Sequence, residues 1–171
     1  IAHKNGYDEI VFLDDNENIT CCGKYPVVGK VDLVKENIGD VFVAIGNSRI
    51  RKEIMDKYKD RNYPVLIHPS SVISEDVTIG DGTVIMAGTV INPDSKIGKG
   101  AIINTCSSID HDCCVGDFSH VSVGARLCGT VHVGDSTWIV AGAVVINNID
   151  ICDNCVIGAG AVVINNINET G

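Results

Sequence analysis

A six-residue repeat that runs from Ile73 to Val163 is the feature that most limits how this chain can fold. Positions in the row that begins at Val77 are mostly small, because twelve of the fifteen are Ala, Ser, Thr or Cys. A period of six is typical of a parallel β-helix, in which each unit forms one short strand and one corner. Sixteen consecutive positions of the main row are aliphatic: Ile73, Ile79, Ile85, Ile91, Ile97, Ile103, Ile109, Val115, Val121, Leu127, Val133, Ile139, Val145, Ile151, Ile157 and Val163. We therefore predict a β-helix of hexapeptide repeats over residues 68–171.

The segment before the repeat has a different pattern, and we place a domain boundary after residue 67. Three short apolar runs predict strands, at residues 10–13, 41–45 and 64–67. A helical spacing of apolar side chains between 48 and 61 predicts a helix that begins at Ser48 as its N-cap. Strand, helix and strand in this order predict a small Rossmann-like α/β domain over residues 1–67.

Charge and composition exclude several classes of function. The net charge is −9, and residues 68–171 hold 11 acidic but only 3 basic side chains. A nucleic-acid-binding face needs clustered Lys and Arg, so we expect no nucleic-acid partner. No apolar run approaches the ~18–20 residues of a membrane span, and no signal peptide opens the chain. We expect a cytoplasmic protein without a membrane span.

The eight cysteines include one CxxC pair, Cys152 and Cys155. A zinc site of this type needs a second pair, which the sequence lacks. The six-residue phase places Cys155 among the inward small positions and directs Cys152 elsewhere. We therefore expect the two thiols not to converge, and we expect no metal.

His111 is conspicuous because it falls at a corner of the repeat, directly before Asp112. Imidazole is suited to proton transfer near neutral pH, and an adjacent carboxylate can orient it or raise its basicity. At three units per coil, Gly129 is the residue stacked over His111. A glycine there would leave a slot for a thiol-linked arm and an N–H group for an oxyanion. His120 lies half a coil away, so it could meet His111 only across a groove between neighbouring subunits.

Several motifs give this pattern a family resemblance. They are the runs 103–105, 110–113 and 116–125 in the repeat, and 11–15, 44–47 and 50–52 before it. The chain resembles the hexapeptide-repeat sugar acetyltransferases of the sialic-acid O-acetyltransferase-like family, in particular those that N-acetylate UDP-4-amino-sugars in the bacillosamine pathway. The resemblance covers nearly the whole chain. It implies a left-handed β-helix, a homotrimer with active sites between subunits, acetyl-CoA as co-substrate and a nucleotide-linked 4-amino-deoxysugar as acceptor.

The resemblance also implies roles for individual residues. His111 would be the general base and Asp112 would increase its basicity. The family has Glu at the second position, so we expect the shorter carboxylate to sit slightly further from the ring. The remaining roles are acetyl and substrate positioning for Asn104 and His120, acetyl-CoA binding for His120, Gly129, Ala141 and Ala159, and nucleotide-sugar binding for Asp14, Asp15, Gly46 and Arg49.

The chain departs from the family pattern at its two ends. The family has a glycine-rich turn that holds the pyrophosphate on a helix N-terminus, and a short segment after the last coil that helps to hold CoA. We expect both to lie outside these residues, so the N-terminal part of the nucleotide-sugar domain is missing.

Three alternatives stay open on the residues alone. An O-acetyltransferase for a sialic-acid-type sugar would use the same base, and only its product would distinguish it. A non-catalytic β-helix scaffold would suit the repeat but not the corner dyad beside Gly129. A γ-carbonic-anhydrase-like metalloenzyme would need His111, His120 and His132 to converge on a metal.

Overall fold

The N-terminal part of the chain forms a small three-stranded sheet and one α-helix. The computed structural model describes residues 1–36 and 39–170. Strand β3 lies in the middle, parallel to β1 and antiparallel to β2. The elements are a 3-10 helix at Ala2–Asn5, β1 at Phe12–Leu13, β2 at Cys21–Cys22, β3 at Tyr25–Gly29, a second 3-10 helix at Val31–Glu36 and α1 at Ser48–Lys57.

The N-cap of helix α1 lies one residue before the predicted cap. Asn47 is the N-cap, and its side-chain oxygen accepts a hydrogen bond from the Ile50 amide across 3.1 Å. The prediction of Ser48 as the cap was wrong because Asn47, not Ser48, holds the extended conformation that a cap requires. The helix buries Arg51 and Met55, and it ends at Lys57, earlier than the sequence pattern indicated.

Seventeen two-residue strands follow, one in each hexapeptide. They are β4 Leu66–Ile67, β5 Val72–Ile73, β6 Thr78–Ile79, β7 Val84–Ile85, β8 Val90–Ile91, β9 Lys96–Ile97, β10 Ile102–Ile103, β11 Ser108–Ile109, β12 Cys114–Val115, β13 His120–Val121, β14 Arg126–Leu127, β15 His132–Val133, β16 Trp138–Ile139, β17 Val144–Val145, β18 Asp150–Ile151, β19 Val156–Ile157 and β20 Val162–Val163. Each predicted aliphatic position is the second residue of a strand.

Each strand pairs in parallel with the strand three units further along, so the strands form three flat faces. Face 1 contains β4, β7, β10, β13, β16 and β19, face 2 contains β5, β8, β11, β14, β17 and β20, and face 3 contains β6, β9, β12, β15 and β18. The first corner, between faces 1 and 2, includes residues 104–107; the second, between faces 2 and 3, includes 110–113; and the third, between faces 3 and 1, includes 116–119. The predicted β-helix is confirmed.

Fourteen of the sixteen corners turn through one residue in the left-handed region. Glycine occupies six of these fourteen positions, and eight hold other residues, Phe118 and Thr130 among them. A positive φ strains a bulky or β-branched side chain, so the β-helix fixes these conformations against local preference. The positions are 82, 88, 94, 100, 106, 112, 118, 124, 130, 136, 142, 148, 154 and 160, with φ between 55° and 70°.

The small inward positions join consecutive coils by hydrogen bonds as well as by packing. The Ser119 hydroxyl donates to the Gly134 carbonyl at 2.7 Å and accepts from the Thr137 amide at 3.0 Å. Thr137 repeats this arrangement one coil further, toward Cys152 and Cys155. A buried hydroxyl is costly unless it is bonded, so these bonds explain why Ser and Thr fit a row that lines the core.

Two of the three strands predicted for the N-terminal segment differ in the structure. Residues 41–45 form no strand ladder among the described residues. The run 64–67 becomes β4, whose partner is β7 of the β-helix. The amide of Asn5 donates to the Ile67 carbonyl at 2.8 Å and accepts from the Ile67 N–H, so Asn5 covers the free edge of this first coil.

The two parts of the chain pack together at the third corner. Val43, Met55, Tyr63 and Phe118 form one buried apolar cluster. Phe118 belongs to the corner, whereas Met55 belongs to α1. No helix in the described ranges is long and apolar enough to cross a membrane.

Candidate active site

His111 and Asp112 form a hydrogen-bonded pair on the exposed second corner. Nδ1 of His111 lies 2.7 Å from Oδ2 of Asp112, so the shorter carboxylate still reaches the ring. Asp112 is the left-handed residue of its corner, with φ 58°, and its side chain turns back to the ring. The hydrogen bond with Asp112 raises the pKa of His111. Because the carboxylate holds the proton on Nδ1, Nε2 is left free to accept one.

Gly129 lies directly over the imidazole, as the eighteen-residue coil predicts. A Cβ at Gly129 would lie 2.6 Å from Nε2 of His111, closer than atoms can approach. The imidazole itself therefore fills part of the slot that we expected a ligand to occupy. Among the hydrogen bonds of the described residues, the Gly129 amide donates none, while its carbonyl accepts from Asn148.

A second polar cluster lies on face 1, around His120. Asn104 and His120 are brought together, with Nδ2 of Asn104 3.1 Å from Nε2 of His120. Trp138 stacks on His120 in the next coil, with ring centroids 5.9 Å apart and an interplanar angle of 9°. Its indole N–H donates to the Ser122 hydroxyl at 2.7 Å. These contacts fix the orientation of the His120 ring.

His120 differs from His111 in its protonation. Burial, together with the nearby positive charge of Arg51, lowers the pKa of His120 to about 4. The ring is therefore neutral at pH 7, and the amide that donates to Nε2 leaves the ring proton on Nδ1. A neutral imidazole in this state can donate a hydrogen bond but is a weak base, which separates its chemistry from that of His111.

The two clusters do not meet within one chain. His111 occupies the second corner, and His120 projects from face 1, which is the face opposite that corner. The buried aliphatic core fills the space between them. Ala141 and Ala159 lie exposed on the first corner, at the edge of face 1, on the side of Asn104 rather than of His111.

The N-terminal segment contains a pocket of about 710 Å³. Asp14 and Asp15 line it, together with Phe12, Ile45 and Tyr7. Both carboxylates also accept hydrogen bonds from the backbone, Asp14 from the nearby Asn16 amide and Asp15 from the Val31 amide at the start of the second 3-10 helix. The two aspartates predicted for nucleotide binding thus lie at a concave surface of the expected domain.

Gly46 and Arg49 lie beside this pocket and do not line it. The Gly46 carbonyl accepts a hydrogen bond from Nη1 of Arg51 at 3.1 Å. Arg49 is exposed on α1 and forms an ion pair with Glu53 at 3.5 Å. Their assignment to nucleotide binding stays a prediction.

The CxxC pair differs from the expectation. The Sγ atoms of Cys152 and Cys155 lie 3.1 Å apart, so the prediction that the two thiols point in different directions was wrong. Cys152 and Cys155 are the first and last residues of a corner turn, which brings them together, and Cys152 packs partly against the core. Within the described residues, no group of three or more His, Cys, Asp or Glu side chains could hold a metal ion.

Sequence reasoning overlooked three residues at these clusters. Trp138 lies one coil beyond His120, and Asn147 lies one coil beyond Gly129. Steps of eighteen residues, one from His120 and two from His111, would have found both. Arg51 is also central, but only its place on an apolar helix face, where a charged side chain is unusual, could have indicated this.

Comparison with known proteins agrees with both parts of the fold. Residues 1–58 match the family described as the PglD N-terminal domain, and residues 64–93 match the bacterial transferase hexapeptide family. A curated relative, UDP-N-acetylbacillosamine N-acetyltransferase of Bacillus subtilis, is 43% identical over 49 residues. The aligned stretch is 27% of this chain and spans only 22% of the relative's length.

Solved structures give a longer match. The acetyltransferase domain of PglB from Neisseria gonorrhoeae is 36% identical, with a TM-score of 0.93, and the match covers 98% of this chain and 84% of that one. This chain belongs to the hexapeptide-repeat sugar acetyltransferase family.

Other structures of this family carry ligands. The PglB domain has been solved with acetyl coenzyme A, and there the match is 36% identical with a TM-score of 0.93, over 97% of this chain and 83% of that one. PerB from Caulobacter crescentus has been solved with CoA and GDP-perosamine; it is 36% identical with a TM-score of 0.86, over 92% of this chain and 77% of that one. Family membership confirms the left-handed winding that the resemblance implied.

Proposed function

We propose that this protein transfers the acetyl group of acetyl-CoA to the amine of a nucleotide-linked 4-amino-deoxysugar, with His111 as the general base. The observation that carries the proposal is the His111–Asp112 pair at 2.7 Å, which leaves Nε2 available on an exposed corner. This chain matches more than three quarters of the length of two relatives, whose structures have been solved with acetyl coenzyme A or with CoA and GDP-perosamine.

The chemistry requires one proton acceptor. The sugar amine attacks the thioester carbonyl, and a C–N bond forms as the C–S bond breaks. Nε2 of His111 takes the proton that the amine loses and passes it to the departing CoA thiolate, which leaves as the thiol. General-base assistance of this kind contributes ~10²–10⁴-fold to the rate. The free amide of Gly129 is suited to stabilise the oxyanion that forms on the carbonyl oxygen.

The acceptor and the donor occupy different parts of the protein. The pocket lined by Asp14 and Asp15 holds the nucleotide, and it presents the sugar toward the β-helix. Asn104, His120, Ala141 and Ala159 form the acetyl-CoA groove along face 1 and the first corner. The neutral His120 can donate a hydrogen bond from Nδ1–H to a ligand in this groove. A donor site and a nucleotide-sugar site are supported by the related PerB structure, which is in complex with both CoA and GDP-perosamine.

The active site is completed by a second copy of the chain in a homotrimer. Face 2 presents apolar side chains outward, with Val72 65% and Val162 61% exposed. Face 3 instead presents Lys96, His132 and Asp150. Burial of face 2 around a threefold axis would cover its valines. It would also bring the second corner of one copy, with His111, beside the first corner of its neighbour.

Product analysis tests the reaction. Purified protein is incubated with acetyl-CoA and a panel that includes GDP-perosamine, UDP-4-amino-sugars and sialic acid, and products are identified by mass spectrometry. We expect an N-acetylated nucleotide sugar. His111→Ala should keep its fold and oligomeric state and lose ~10²–10⁴-fold in rate. Acetylation of sialic acid alone would show an O-acetyltransferase, and thiol release at the wild-type rate by His111→Ala would exclude His111 as the base.

Donor binding can be measured separately from turnover. Trp138 is the only tryptophan of the chain and stacks on His120. A titration with CoA should therefore change the intrinsic fluorescence and saturate, as expected if the groove is where we place it. Saturable CoA binding without any fluorescence change would place the donor elsewhere. We propose that the reaction takes place in the cytoplasm.

A further inference from the structure

Arg51 is buried between the two parts of the chain, with only 1% of its surface exposed. Its guanidinium has no carboxylate partner among the described contacts and donates to backbone carbonyls only. Nε donates to Gly100 at 2.6 Å and Nη2 to Phe118 at 2.5 Å. Nη1 donates to Ile45 at 2.8 Å and to Gly46 at 3.1 Å.

Two of the four acceptor carbonyls lie near His120 on the β-helix, and the other two lie beside the pocket that we propose for the nucleotide. Gly100 and Phe118 occupy the third corner in successive coils, and Phe118 lies two residues before His120. Ile45 and Gly46 directly precede the cap of α1, and Ile45 lines the nucleotide-side pocket. One rigid side chain thus joins the wall of that pocket to the backbone that leads into His120.

Stability alone is a poor reason for an arginine at this position. The contact around it is apolar, formed by Val43, Met55, Tyr63 and Phe118, and burying a charge among such side chains is costly. Apolar contacts are not directional, so they resist sliding less than a planar fork of N–H donors does. A guanidinium that donates to carbonyls of both parts of the chain therefore holds the two parts in one relative position.

We propose that Arg51 is a positioning residue, which holds the nucleotide pocket in register with the acetyl-transfer residues so that the sugar amine reaches the thioester. This inference rests on the proposed function. The nucleotide anchors the acceptor far from the reacting amine, so a small shift between the two parts displaces the amine. A displacement of about 1 Å from the reactive geometry can lower a rate by ~10²-fold.

The test compares two acceptors in Arg51→Lys, which keeps the charge and loses the fork. The acceptors are the nucleotide amino sugar with the best turnover in the product assay and the same amino sugar freed from its nucleotide. For the first we expect kcat to fall by ~10²-fold while both KM values change little. For the second, which is not anchored, we expect no change from wild type.

Met55→Ala is the matched control, because it weakens the same contact from the same helix without touching a carbonyl. Equal losses with both acceptors in Arg51→Lys, or the same kcat loss in Met55→Ala at equal loss of thermal stability, would show a merely structural arginine and overturn the proposal.

A second measurement does not depend on turnover. In wild-type protein labelled at histidine, addition of UDP or GDP should shift the ring resonances of His120, and in Arg51→Lys the nucleotide should bind without that shift. Nucleotide binding that leaves the wild-type His120 unchanged contradicts the inference. The wild-type protein could show the shift and the variant lose it while neither acetylates any of the tested sugars. That result would support the role of Arg51 and refute the proposed acetyltransferase function.

Discussion

At the scale of single residues, the His111–Asp112 pair depends on the corner that carries it. The two side chains are about half exposed, so burial contributes little to their electrostatics. The hydrogen bond from the ring to the carboxylate is the main reason for the raised pKa of His111. It forms because the left-handed backbone at Asp112 turns the carboxylate back toward the preceding residue.

The pH dependence of the rate should report this hydrogen bond. A general base must be neutral, so kcat/KM should rise with pH through the pKa of His111, above the ordinary value of 6.5. Asp112→Asn weakens the hydrogen bond and removes the charge that together raise this pKa, so the rising limb should move to lower pH and the plateau should fall. Asp112→Glu keeps the charge and serves as the control. An identical limb in Asp112→Asn would mean that the carboxylate does not set the basicity.

Gly129 should affect the rate because its lack of a side chain leaves space for the His111 ring. In Gly129→Ala the new methyl would overlap Nε2 of His111, so we expect the imidazole to turn away and kcat to fall at least tenfold, within the range of general-base effects. Gly158→Ala adds the same methyl to open space and controls for effects on folding. Circular dichroism melts and steady-state rates measure the two effects. A fully active Gly129→Ala variant would show that the ring does not need this position.

At the scale of elements, helix α1 packs closely against the third corner because two positions of that corner are glycines, which have no side chain. Gly82 and Gly100 stack in successive coils, and a Cβ at either would collide with Met55 of α1 or with Phe118. Larger residues at these two corners would move α1 away from the coil. The placement of α1 against the coil therefore depends on these glycines as well as on the hydrogen bonds of Arg51.

Two glycine substitutions separate the packing effect from the backbone effect. Gly142 and Gly100 both have positive φ, but a Cβ at Gly142 meets nothing within 4 Å, whereas one at Gly100 lies 2.6 Å from the Phe118 ring. Gly142→Ala should cost about 1–2 kcal/mol in free energy of unfolding from backbone strain. Gly100→Ala should cost a further ~1–3 kcal/mol from overpacking. Urea denaturation measures both, and equal costs would contradict tight packing at this corner.

At the scale of the whole molecule, the three faces of the β-helix have different outward surfaces. The core is continuous and uniform, so it does not distinguish one face from another. The outward residues do, since face 2 is mostly valine, face 3 is polar and face 1 carries His120 and Trp138. An exposed apolar strip of this kind indicates an interface between subunits.

Mixed oligomers should recover activity if the active site lies between subunits. His111→Ala and His120→Ala, each inactive alone, are coexpressed with different tags and purified through both. Some sites in the mixed trimer then combine an intact His111 with an intact His120 from the neighbour, so acetylation should return. Two differently tagged copies of His111→Ala are the control and should stay inactive. Absence of recovery in the mixed trimer would place the complete site within one chain.

Sequence patterns identified most of the fold and one half of the candidate site. The six-residue period located the strands, the corners and the pair of His111 with Gly129, because each depends on a fixed step along the chain. The predicted strand at 41–45 and the predicted direction of the Cys152 side chain were wrong. Apolar composition alone does not specify a hydrogen-bonding partner for 41–45, and the phase did not account for a turn that brings Cys152 onto Cys155.

The sequence by itself determined the architecture, since side-chain volume repeats at every sixth position and a coil must bury those side chains. Only the tertiary structure decided which distant groups meet. Arg51 binds carbonyls 49 and 67 residues further along the chain, at Gly100 and Phe118. Likewise, Trp138 covers His120, and α1 lies on the third corner rather than on a face. These contacts depend on how two differently patterned segments fit in space, and no local period encodes that fit.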